Sequence, residues 1–214
     1  MFDPACLANP PRRGAAKRPI ERGVTLIELV VVMVLLGAMA AMAMPNVMVW
    51  IRNTEIRNVA TSLQTGLQRA RAEAMRRNEL VRFTLVDLGS SPVMSDACGD
   101  SANGTSWVVS LDDPDGKCGK AISDTVDPRI LDRHVTTASP GVRVRGTSAA
   151  AVAADEVVFN GFGRVVGAGA LTVIDVDNET AGDDYRALRI MLGPGGTMRM
   201  CEPKVSSKTD PRVC

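Results

Sequence analysis

From residue 24 to residue 50 the chain carries one ionisable side chain, Glu28, in an otherwise apolar run. Crossing a bilayer as a helix takes about twenty such residues, so this stretch is long enough to span. It exceeds the needs of a core helix in a small domain and sets the frame for everything after it. Residues 1–23 precede it with Arg12, Arg13, Lys17, Arg18 and Arg22 against Asp3 and Glu21. A basic flank of this kind stays in the cytoplasm and sends the rest of the chain across the membrane. A carboxylate inside an apolar span is costly, by about 2.5 kcal/mol or more near the bilayer centre, and is usually functional. Its place near the cytoplasmic end also lets Glu28 snorkel to the headgroups.

The junction has a specific form. Gly23 closes the basic leader, Val24 opens the apolar run, Thr25 follows, and Glu28 stands fifth from Val24. This arrangement resembles the class III signal of type IV pilins and type II secretion pseudopilins. The resemblance implies that a membrane prepilin peptidase cuts after Gly23 and that Val24 becomes the methylated amino terminus. It makes Thr25 and Glu28 assembly residues, with Glu28 the acidic fifth residue of the mature chain. Pro45 falls where many members of that family have a helix-kinking proline. Val24 is a departure, since phenylalanine or methionine is commoner there.

The basic leader leaves 20 basic and 22 acidic residues to the rest of the chain. A strongly basic nucleic-acid binder is not indicated. Cys6 lies in the leader, while Cys98, Cys118, Cys201 and Cys214 lie beyond the apolar run. An even number in an exported domain points to disulfides, and neither a CxxC nor a His-Cys spacing suggests zinc. Of three possible pairings, Cys98 with Cys118 and Cys201 with Cys214 close the short loops rich in Gly, Asp, Pro, Ser or Lys.

Four segments follow: a leader over 1–23, a transmembrane or filament-core helix over 24–50, an amphipathic helix over 51–79, and a β-rich periplasmic domain over 80–214. Pro4, Pro10, Pro11 and Pro19 argue against regular structure in the leader. Ile56, Val59, Ala60, Leu63, Leu67, Ala70 and Ala74 recur at spacings of three and four, the mark of one buried helix face. Arg57, Gln64, Gln68, Arg71, Glu73, Arg76 and Arg77 form the opposite, charged face. A helix over 25–79 would be a rod of roughly 80 Å at 1.5 Å per residue.

Alternating runs predict strands over 81–85, 107–111, 142–145, 156–159, 164–166, 171–176, 187–192 and 197–201. Residues 113–116, Asp-Pro-Asp-Gly, form a turn, and residues 160–163, Asn-Gly-Phe-Gly, a tight hairpin. A long helix followed by antiparallel strands gives an α+β domain with the helix buried against the sheet. The strand pattern after residue 157, with its Asn-Gly-Phe-Gly-Arg turn and its close at Cys201, resembles the GspH/FimT group of minor pilins and H-type pseudopilins. The loop over 88–106 has no counterpart in that pattern.

Catalytic chemistry has no foundation here. His134 is the sole histidine, beside Arg133, and reads as a surface or strand-end residue. Gly161-Phe162-Gly163 is followed by Gly167 one place too late for a dinucleotide loop. Asp175, Asp177, Asn178, Glu179, Asp183 and Asp184 read as an acidic, solvated loop; Thr180 stands where a calcium loop requires glycine. No metal or cofactor is expected. Some FimT-like pilins contact DNA through a Gly-Arg-x-Arg tail element, but the matching residues 196–199 lack the first arginine. Arg199, Lys204, Lys208 and Arg212 keep the tail basic, while Glu202 and Asp210 dilute it.

The resemblance implies a structural, non-enzymatic subunit. It would be a single-pass inner-membrane protein with its amino terminus in the cytoplasm and its domain in the periplasm. Its partners would be other pilins or pseudopilins, the prepilin peptidase, membrane lipid and an assembly platform. A type II secretion pseudopilus is the expected machine and a type IV pilus the alternative, with DNA the less favoured ligand.

Overall fold

The computed structural model describes residues 23–89, 91–136, 141–180, 182 and 184–214. The chain divides into two compact units, one ending at Met44 and one from Pro45 to Cys214.

Helix α1 is Leu26–Arg77. Thr25 caps its start: the Glu28 N–H donates to Thr25 Oγ1 at 3.3 Å and the Leu29 N–H to the Thr25 carbonyl at 3.1 Å. The helix ends two residues earlier than the sequence periodicity suggests. Asn78 takes a left-handed conformation, φ 55°, and the Glu79 N–H reaches the Ala74 carbonyl at 3.4 Å. That is the six-to-one bond of a Schellman cap, a geometry asparagine tolerates better than most residues. Among the described residues no helix taken singly is long and apolar enough to cross a membrane; Leu26–Met42 and Asn46–Arg77 satisfy length and composition together.

The strands are β1 (Val81–Asp87), β2 (Gly99–Asp100), β3 (Ser106–Ser110), β4 (Ile130–His134), β5 (Val142–Ser148), β6 (Glu156–Phe159), β7 (Val165–Val166), β8 (Leu171–Asn178), β9 (Leu188–Leu192) and β10 (Met198–Cys201). They form two antiparallel sheets where the sequence reading implied one. The first has the order β4-β3-β1-β6-β7, with β2 beside β1, and the second β10-β9-β8-β5. Strands β2 and β4 were not predicted, and β1, β5 and β8 run two or three residues past their predicted ends. The β6–β7 hairpin forms as expected: the Gly163 N–H donates to the Asn160 carbonyl at 2.7 Å and Asn160 Oδ1 accepts from Phe162 and Arg164.

All seven apolar positions of the amphipathic helix are buried. They pack on Val81, Phe83 and Leu85 of β1, Trp107 and Val109 of β3, Val157 and Phe159 of β6, and the inner residues of the second sheet, Ile174 and Ile190 among them. Gly66 sets the spacing to the first sheet. A Cβ there would stand 2.7 Å from both Phe83 and Trp107, closer than carbon atoms pack. The Trp107 indole N–H donates to Ser62 Oγ at 3.0 Å, so burying the ring leaves no donor stranded.

The unmatched stretch over 88–106 also has a role. It carries Cys98 over the far face of the first sheet, where Val86, Val108, Ile130 and the Cys98–Cys118 pair form a second apolar cluster. Both faces of β1 are therefore buried. The charged face of the helix needs one correction. Glu73 is only 6% exposed, beneath Arg69, Arg76 and Arg77 at 2.6–3.3 Å.

Candidate functional site

Candidate assembly chemistry lies in the first unit. The Thr25 cap starts the helix one residue after Val24, which leaves Val24 outside it. Thr25 and Glu28 have the spacing of a capping box, and a carboxylate in the first turn suits the positive end of the helix dipole. That local signal was present in the sequence and marks the helix start independently of any family. The Glu28 carboxylate makes no ion pair or hydrogen bond among the described residues, and its backbone N–H is spent on the cap.

Around it the apolar side chains of the described residues are exposed. Val24, Leu26, Met33 and Leu35 are 74%, 82%, 64% and 58% exposed. A continuous apolar surface of this extent requires lipid or neighbouring subunits.

The second unit carries the tail. Cys201 at the end of β10 is bonded to Cys214, and Cys98 to Cys118, the two short-loop pairings. Arg199 Nη2 donates to the Val213 carbonyl at 2.5 Å. The Lys204 ammonium donates to the carbonyls of Gly182 and Tyr185. Arg199 and Lys204 therefore tie chain segments together and Arg212 pairs with Asp210, while Lys208 stays exposed.

The first half of the acidic stretch is strand and not loop. Asp175 and Asp177 lie on β8, where Asp175 accepts from Arg189 at 2.7 Å and Asp177 from Arg143 at 2.8 Å. Pairing across the sheet consumes the oxygens that a calcium ion would need. Asn178 Nδ2 donates to the Thr180 carbonyl, and Asp183 lies outside the described residues. His134 closes β4, stacked on Trp107 with ring centroids 5.7 Å apart.

Sequence reasoning missed Asp100 on β2. Its Oδ1 is buried without a partner, and burial, reinforced by Asp113, Asp115, Asp155 and Glu156, pushes its pKa up to about 7. Only the fold brings those acids together.

An amino-terminal helix with an exposed apolar segment and a second stretch buried on antiparallel sheets defines a pilin-like subunit. Residues 18–44 match the prokaryotic N-terminal methylation motif. Residues 59–196 match the family described as type II transport protein GspH, and the chain belongs to that family. It is accordingly a minor pilin or pseudopilin of a type II secretion system or type IV pilus, a structural family. No curated protein sequence matches it significantly. Two crystal structures of the type IV minor pilin FimU of Pseudomonas aeruginosa (strain PAO1) are similar at 16% identity. One aligns over 72% of this chain and 96% of FimU with a TM-score of 0.43, the other over 71% and 99% with a TM-score of 0.41.

Proposed function

We propose that this chain is a minor pseudopilin of the type II secretion system, held in the inner membrane by residues 24–50 until it joins the tip region of a periplasmic pseudopilus. Membership of the GspH family supports the choice of machine. The observation that carries the assembly reading is the uncovered apolar segment with Glu28 unpartnered inside it. In this reading the prepilin peptidase cuts after Gly23 and methylates Val24, and an assembly platform moves the subunit from lipid into the filament. Residues 80–214 stand in the periplasm, where the disulfides are stable.

Assembly follows from charge. In a dry bundle of helices Glu28 must find a cation, and the amino terminus at Val24 of a neighbour supplies one. An unpaired buried charge costs several kcal/mol, so the pairing rejects wrong registers as well as rewarding the right one. Thr25 keeps the helix start fixed relative to that terminus. Pro45 removes one N–H from the helix ladder and loosens the helix near the membrane exit.

The test is a photo-crosslinker at Leu36, on the uncovered segment, with captured partners identified by mass spectrometry in cells. Secretion pseudopilins are the expected partners; pilus subunits would transfer the chain to a type IV pilus. Recovery of neither, from correctly cleaved protein, would sink the filament reading. Glu28→Ala is expected to stay membrane-bound while its crosslinks to neighbours fall at least tenfold.

A further inference from the structure

Two arginines of the second unit line a cleft of about 350 Å³ between α1, β9, β10 and the tail. Its walls carry Arg57, Arg186, Arg212 and Glu202, with Leu188 and Met200 as an apolar floor. The acid is already committed: Arg212 bonds Asp210 at 2.7 Å and approaches Glu202 at 3.6 Å. Arg57 and Arg186 have no ion pair or side-chain hydrogen bond among the described residues. Their placement is nonetheless fixed. The Arg186 N–H donates to Asn53 Oδ1 at 2.7 Å, and Asn53 Nδ2 donates to the Asp184 carbonyl, which staples this segment to the helix one turn before Arg57. Two guanidinium groups set over an apolar floor suit an oxyanion.

The same unit indicates where that oxyanion comes from. Val47, Met48, Trp50 and Ile51 are exposed at the start of its helical stretch, 46–68% each. Tryptophan favours the membrane interface. Arg57 follows Trp50 by seven residues, about 10 Å along the helix, and its side chain slopes back toward the helix start. The headgroup layer reaches roughly 5–8 Å beyond the hydrocarbon, so the guanidinium falls at phosphate depth. Lys204, whose ammonium meets only backbone carbonyls, lines the adjoining cleft with Arg186 and adds a third cation.

We propose that the Arg57–Arg186 cleft binds the phosphate of an anionic phospholipid headgroup and docks the domain against the membrane surface. The proposal rests on the membrane-anchored reading above. It deepens that reading by giving the waiting subunit a fixed orientation, which leaving the membrane for the filament must break.

The test uses the full mature chain in nanodiscs of phosphatidylcholine alone or with half phosphatidylglycerol, probed by arginine-specific phenylglyoxal labelling. Labelling of Arg57 and Arg186 is expected to slow at least fivefold with phosphatidylglycerol only. In native mass spectra, retained phosphatidylglycerol is expected to fall about fivefold for each of Arg57→Gln and Arg186→Gln, as a contribution of about 1 kcal/mol per surface cation requires. Arg57→Lys with Arg186→Lys is expected to restore most of it. Equal labelling in both lipids, or lipid retention unchanged in the double glutamine variant, would overturn the proposal. So would equal protection by inorganic phosphate in detergent, which would make this a free-phosphate site. Protection appearing only when other pilin subunits are added would assign the cleft to a protein carboxylate and overturn it too. Failure to insert into either nanodisc would remove the anchor reading as well, so the two failures are distinguishable.

Discussion

The two stretches of α1 are both apolar, yet they serve different partners. Between residues 26 and 44 apolar side chains point in every direction and all of those described are exposed. From Ile56 onward seven apolar residues form one stripe that is fully buried, and Met75 alone of the large ones stands exposed off it. A stripe is what one sheet can cover, whereas a helix apolar all round needs a solvent or a ring of neighbours. The carboxylates repeat the contrast. Glu28 stands unpaired in the first stretch, while Glu73 in the second is held under three arginines. One is paired within its own domain, and the other has no partner among the described residues.

The contrast breaks most visibly under truncation. Phe83→Ala would empty a site against the helix stripe and is expected to cost about 3–5 kcal/mol of domain stability. Leu35→Ala, in the exposed stretch, is expected to change it by less than about 0.5 kcal/mol. Thermal unfolding of the full chain in detergent, followed by near-ultraviolet dichroism of Trp107, measures both. An equal loss from the two would mean that the first stretch packs within the chain after all. Next in size is Cys98→Ser with Cys118→Ser, expected to cost roughly 3 kcal/mol because the crosslink closes a loop of about twenty residues. The same measurement reads it.

How much of this could be read from the sequence follows the same division. The helix stripe was legible because spacings of three and four are a local signal. So was the hairpin at residues 160–163, where Asn160 and the following glycines specify their own turn. The anchor motif was legible because Gly23, Val24, Thr25 and Glu28 fall within six consecutive residues. Strand β4 was not: Ile-Leu-Asp-Arg-His has no alternation, and Ile130 is buried only because the Cys98–Cys118 loop closes over the far face of the first sheet. Strand β2 is two residues paired to β1 by that same loop. The split into two sheets depends on which distant strands pair, such as β1 with β6 and β5 with β8, and alternation carries no pairing information. Arg57 and Arg186 meet for the same reason, far apart in sequence and joined through Asn53.

Glu73→Gln sharpens the comparison between the two helix carboxylates. Burial pushes the Glu73 carboxyl up, but hydrogen bonds from Arg76 and Arg77 outweigh it and hold the pKa below its ordinary value of 4.5. A depressed pKa contributes stability above the unfolded value, and that contribution is lost as pH falls below about 4.5. The substitution is expected to cost about 2 kcal/mol at neutral pH, the scale of hydrogen bonds to a charged group, and to remove that acid-side loss. Glu28→Gln is expected to leave the unfolding curve of the isolated subunit unchanged.

Asp100 has the opposite sign and a smaller effect. Its pKa is raised to about 7 from an ordinary 3.8, so between those values the folded chain holds a proton that the unfolded chain has lost. Stability from this group is therefore full below about pH 4 and falls as pH rises towards 7. With the side chain partly open to solvent, the loss is on the order of 1–2 kcal/mol. Asp100→Asn keeps the shape and removes the charge, so it is expected to abolish that decline and raise stability at neutral pH. Melting curves at pH 5 and pH 8, for wild type and variant, decide it: parallel declines would show that the other four acids, not Asp100, carry the effect. The two carboxylates of this domain differ by their neighbours, arginines from the helix in one case and acids from the disulfide loop and the start of β6 in the other.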